Sequence, residues 1–155
     1  ESSSLVIMEG EDYSFSRTLL LGGNHFLRNV MEANEMPLEK VEKFKKEVDF
    51  FNQDAAVEAG ADFIKEIQRT IEYFLYKMDN REKHIAKVFI MGGGSGIARL
   101  DVFIASELKI DVQSLDMMEF LWYDRRIIRT DLEEEQKFLT TSVGLALRGW
   151  DYATD

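Results

Sequence analysis

One stretch, VFIMGGGSGIARL at residues 88–100, constrains the fold more than any other. Ala86 to Met91 is a short apolar run of strand type, and it feeds directly into three glycines and a serine. Ile97 to Leu108 then carries apolar residues at helical spacing, and Ile110 to Gln113 reads as a second short strand. Strand, crossover helix and strand form a β-α-β unit, which predicts an α/β chain.

The rest of the sequence fits around that unit. Residues 4–9 and 12–21 read as a hairpin turning at Glu9-Gly10-Glu11-Asp12. Its second strand alternates Tyr13, Phe15 and Arg17 against Ser14, Ser16 and Thr18, and Gly22-Gly23 follows. Asn24 is placed to cap a helix through Phe26, Leu27, Val30 and Met31. Pro37 suits the first position of another helix, running to about Phe50, with Glu39/Lys43 and Glu42/Lys46 at i,i+4 spacing. The clearest element is 54–78, where Ala56, Gly60, Phe63, Ile64, Ile67, Ile71, Phe74, Leu75 and Met78 keep the helical period. Residues 114–130 are less regular. A closing helix is expected from Asp131 to Leu147, stopped by Gly149.

Strand, glycine loop and helix together are a general phosphate-binding device, since glycines let a ligand approach the backbone and a helix start offers free N–H groups. Two specific versions fail. The dinucleotide fingerprint needs a glycine where Ile97 stands, and the phosphate loop ending in Gly-Lys needs those residues at Ile97 and Ala98. By its residues alone the loop is either a tight strand–helix turn or a binding site.

The stretch VFIMGGGSGIARLDVFIASELKIDV resembles the adenosine-binding strand-loop-helix of the actin-like ATPase superfamily. SSSLVIMEGEDYSFSRTLLLGGNHF is similar to the hairpin after that family's second phosphate loop, with Ser2, Ser3 and Ser4 as the loop's remnant. MPLEKVEKFKKEV resembles the helix of its small second subdomain. TTSVGLALRGW resembles the closing helix of the PilM branch, which serves type IV pilus assembly and is related to the cell-division protein FtsA. The four pieces fall in the family's order. One departure is Met117-Met118, where the branch often has a proline.

The resemblance implies an actin-like (ribonuclease H-like) fold, with residues 1–155 forming one half and a small inserted subdomain within about 35–80. It places Gly92, Gly93, Gly94 and Ser95 beside the ribose and phosphates of ATP, and Glu42 and Lys45 where the small subdomain reaches the adenosine. Without it, Glu42 and Lys45 read equally as an exposed, ion-paired helix face. It implies Mg2+ in the intact protein, no catalytic residue in this half and no ATP turnover from it alone. It further implies a cytoplasmic scaffold at the inner membrane, partnered by PilN through the other half, with ATP as a conformational ligand. An FtsA-like division protein, or a sugar or acetate kinase of the same fold, is the alternative.

A net charge of −10 opposes sequence-independent nucleic-acid binding, which needs cations against phosphates. The absence of cysteine excludes disulfides and thiolate metal sites. No run reaches the roughly 20 apolar residues of a membrane helix. His25 and His84 have no suitably spaced third ligand, so no metal site is expected. Glu133, Glu134 and Glu135 suit the first turn of the closing helix. FLWYDRRIIRT at 120–130 is either a partner surface or a core-packed aromatic stretch with solvated arginines. A homo-oligomer is compatible with this reading.

Overall fold

The computed structural model describes residues 2–10, 12–77, 83–115 and 138–148. It is a mixed α/β arrangement. Ser3–Glu9 (β1) and Asp12–Leu19 (β2) pair antiparallel, and Gly10 turns the chain at φ 65°. The register shifts between Ile7 and Met8, so that Ile7 stands opposite Phe15 and Met8 opposite Tyr13. β2 ends two residues short of the expected Leu21, and Leu20 is already 87% exposed.

The first helix, α1, is Gly23–Asn34. Asn24 does not cap it: extended Gly22 holds that position, and His25 N donates to the Gly22 carbonyl at 2.9 Å. The turn has therefore closed before Asn24 can act. Pro37 stands just outside α2 (Leu38–Phe44), with ψ 149° and its carbonyl accepting from the N–H groups of Lys40 and Val41. That helix stops six residues before the expected Phe50. Val48 in the intervening turns is 62% exposed, so no apolar stripe continues. Instead a 3-10 turn, Phe50–Asn52, drives Phe50 to full burial against Phe44. Burying such a ring is worth about 1.5–3 kcal/mol, enough to outweigh one more turn of polar helix.

Asp54–Lys77 is α3, within a residue of the expected span, and it buries Ala56, Ala59, Gly60, Ile64, Ile67, Thr70 and Phe74. The hairpin lies on it. Phe15 meets Tyr73 and Phe74, Arg17 Nη2 donates to Glu66 Oε2 at 2.8 Å, and Arg17 Nη1 donates to Thr70 Oγ1 at 3.1 Å. Thr70 Oγ1 in turn donates to the Glu66 carbonyl, so this buried hydroxyl is fully used.

Lys87–Ile90 (β3) and Asp111–Ser114 (β4) pair parallel, Val88 opposite Val112, and α4 (Leu100–Leu108) crosses between them. The β-α-β unit is thus present. Its helix starts three residues later than Ile97, because Gly93–Gly96 forms a 3-10 turn and Arg99 is left-handed at φ 60°. Gly60 sits where α3 meets α4: a β-carbon there would lie 2.4 Å from Phe103 Cε1, in a ring stacked on Phe51. A buried cluster lies between the helices, including Phe26, Val30, Val41, Phe50, Ile64, Ile97 and Ile104, with Ile90 and Val112 packing onto it from the parallel strands.

Residues 138–148 are helical, running one residue past the expected end of the closing helix at Leu147. The expected start at Asp131, Gly149, the Glu133–Glu135 run, Met117-Met118 and the 120–130 segment lie outside the described residues. Among the described residues no helix is long and apolar enough to cross a membrane.

Candidate functional site

The candidate site begins where β3 ends. Gly92 has φ 86° and ψ 179°, a region that residues with a β-carbon scarcely enter. The chain then reverses through the Gly93–Gly96 turn. Ser95 locks that reversal from both its N–H (3.0 Å) and its Oγ (2.8 Å), each donating to the Gly92 carbonyl. Oγ still keeps lone pairs for an outside donor. Beyond the turn, Ile97 and Leu100 are buried, anchoring it to the core.

The glycines differ in what they face. A β-carbon on Gly23 would lie 3.1 Å from Gly94 Cα, so α1 approaches the turn backbone to backbone. One on Gly93 would lie 2.7 Å from Phe138 Cε1, whereas one on Gly92 would meet nothing within 4 Å. Gly23 is therefore small for packing against the turn, and Gly92 for its conformation.

The end of α2 reaches the same place. Lys45 follows that helix, its N–H donating to the Val41 carbonyl and its own carbonyl accepting from Ala98 N at 2.7 Å. The ammonium of Lys45 pairs with the carboxylate of Glu42, three residues before it. Lys45 is the less exposed of the two, at 20% against 42%. Glu39 and Lys43 pair as expected, at 3.3 Å on an exposed face, an arrangement worth about 0–1 kcal/mol. The backbone of Lys45 is thus bonded two residues beyond the Gly93–Gly96 turn, and Glu42 is tied to Lys45.

Sequence reasoning missed two neighbours of the turn. Gly23 packs on Gly94, a contact that only the paired Gly22-Gly23 hinted at. Phe138 covers Gly93, for which no local pattern existed. Elsewhere on α1, His25 is partly buried, and its Nε2 is buried without a hydrogen-bond partner. His84 is exposed.

Gly92→Ala is expected to cost about 1–3 kcal/mol through backbone strain alone, since the space for the methyl is open. Urea denaturation checks this. A loss below about 0.5 kcal/mol would mean that the turn relaxes to negative φ.

No curated protein matches the chain. Among solved structures it is similar to the PilM-PilN type IV pilus biogenesis complex, with TM-score 0.75 and 24% identity over 96% of this chain. The chain spans 43% of the length of that one, and the likeness is one of fold. The model of the family described as type IV pilus assembly protein PilM matches residues 1–150, and the chain belongs to that family.

Proposed function

We propose that the chain acts in type IV pilus assembly as one half of an actin-like protein, its glycine turn forming one wall of an ATP cleft. In this reading residues within about 35–80 form the small inserted subdomain. ATP, with Mg2+ held in the complete cleft, serves as a conformational ligand of a scaffold on the cytoplasmic side of the inner membrane. A partner of the PilN kind docks on the other half; the similar solved structure is itself a complex of PilM with PilN.

The observation that carries this reading is the convergence of α1 and the end of α2 on the Gly92–Ser95 turn. Those elements supply the residue types a nucleotide needs. Gly92 leaves open space, Ser95 Oγ retains acceptor capacity, and Lys45 with Glu42 offers an amine and a carboxylate for ribose or phosphate oxygens. ATP would add charge that the Lys45 ammonium can balance.

Two further observations support one lobe of a larger assembly. Among the described residues β1–β2 and β3–β4 are separate two-stranded sheets, so β1 and β3 each pair on one side only. Their outward positions include Val6, Met8 and Phe89, each about half exposed. Exposed apolar surface of this kind marks a contact with another layer. A half-cleft has no opposing phosphate loop and no metal-organising carboxylate, so no ATP turnover is expected from it.

The test is calorimetric titration of ATP-Mg into the 155-residue chain and into the full natural chain that carries it. The 155 residues alone should bind at about millimolar or weaker, near 4 kcal/mol or less. The full natural chain should bind far more tightly. Submicromolar binding by the 155 residues would overturn the half-cleft, and no binding by either would overturn the nucleotide reading.

A further inference from the structure

From the packing around Gly93 we infer that Phe138 is the platform on which the base of the nucleotide stacks, an inference that rests on the ATP-cleft reading. Phe138 is 73% exposed, a costly position for a large apolar ring. It is nevertheless not a stray surface residue. Its Cε1, Cζ and Cδ1 atoms lie 2.7, 3.4 and 3.5 Å from where a β-carbon on Gly93 would be. The ring therefore rests by one edge on the glycine backbone, and any larger residue at 93 would push it off.

That edge contact orients the ring beside the turn. Among the described residues no aromatic side chain stacks on it. Next to it, the β-carbon side of Gly92 is open for 4 Å. A free aromatic face beside an open glycine backbone suits a flat π-system with a polar tail, which is a purine with its ribose and phosphates. A base stacks on such a ring through dispersion and its π-face. A bare phosphate gains nothing from it.

The test measures ATP and inorganic triphosphate binding to the full natural chain, as wild type, Phe138→Ala and Phe138→Trp, with circular dichroism to confirm folding. Phe138→Ala should weaken ATP about 10-fold, the loss expected for one stacked base, and leave triphosphate unchanged. Phe138→Trp should restore ATP binding. If Phe138→Ala binds ATP as well as or better than wild type, the ring is a spectator or a plug, and the inference fails while the ATP reading stands. Equal weakening of ATP and triphosphate would also overturn it, by showing a general collapse of the turn. If wild type binds neither ligand, both readings fall together.

Discussion

Phe26→Ala is expected to remove about 3–5 kcal/mol of stability, the range for deleting a buried aromatic ring. Phe26 is 1% exposed on α1, with its ring edge-on to Phe51 at 6.1 Å and to Phe63 at 5.8 Å. It joins α1 to α3 and to the 3-10 turn at once. The upper part of the range applies because the cavity cannot readily collapse. Phe51 is already held in a parallel stack with Phe103 at 4.5 Å, and Phe103 is pressed against Gly60. Domains of this size hold only about 5–15 kcal/mol, so the variant should lose a large fraction of its folded margin. Urea denaturation of wild type and variant gives the difference. A loss below about 1 kcal/mol would show that the aromatic cluster repacks freely, and it would undo the account of the core as a rigid base for the glycine turn.

Where the sequence carried a strong period, it was enough. Residues 54–78 repeat their apolar positions over many turns, and α3 runs Asp54–Lys77 with the stripe's described residues buried or half-buried. The hairpin and the β-α-β order were legible for the same reason: each strand is a short apolar or alternating run bounded by polar or glycine residues. Boundaries set by tertiary contact were not legible. α2 ends at Phe44 because Phe50 is drawn into a pocket built by residues distant in sequence. α4 waits until Leu100 because a run of glycines specifies no single backbone conformation, and the 3-10 turn is chosen by what it packs against. The candidate site divides in the same way. The Gly92–Ser95 turn and Lys45 could be nominated from sequence, and the Ala98–Lys45 hydrogen bond brings their backbones together. Phe138 and Gly23 could not, since their only relation to the turn is through space.

Gly23→Val should cost about 3 kcal/mol, whereas Gly94→Ala, in a motif position, should cost less than about 0.5 kcal/mol. The asymmetry follows from the direction of the missing Cα–Cβ bonds. At Gly23 a β-carbon would point at Gly94, 3.1 Å from its Cα and 3.7 Å from its N. Backbone cannot rotate out of the way as a side chain can, and valine adds two more carbons to the same gap. In an isolated helix, replacing glycine gains up to about 1 kcal/mol. Overpacking costs about 1–3 kcal/mol, and with backbone as the obstacle the upper end applies, so the sign is destabilising. At Gly94 the reciprocal β-carbon would lie 3.6 Å from both Gly23 Cα and N, an ordinary contact. The same close approach fixes where the turn stands relative to Lys45. On the proposed ATP-cleft reading, Gly23→Val should also weaken ATP binding by the full natural chain, by about 10-fold if roughly half of the strain is relieved at the turn. Thermal denaturation of the two variants, paired with ATP titration, separates the possibilities. Equal destabilisation by Gly23→Val and Gly94→Ala would mean that α1 does not hold the turn from this side, and Lys45 would be left as its remaining brace.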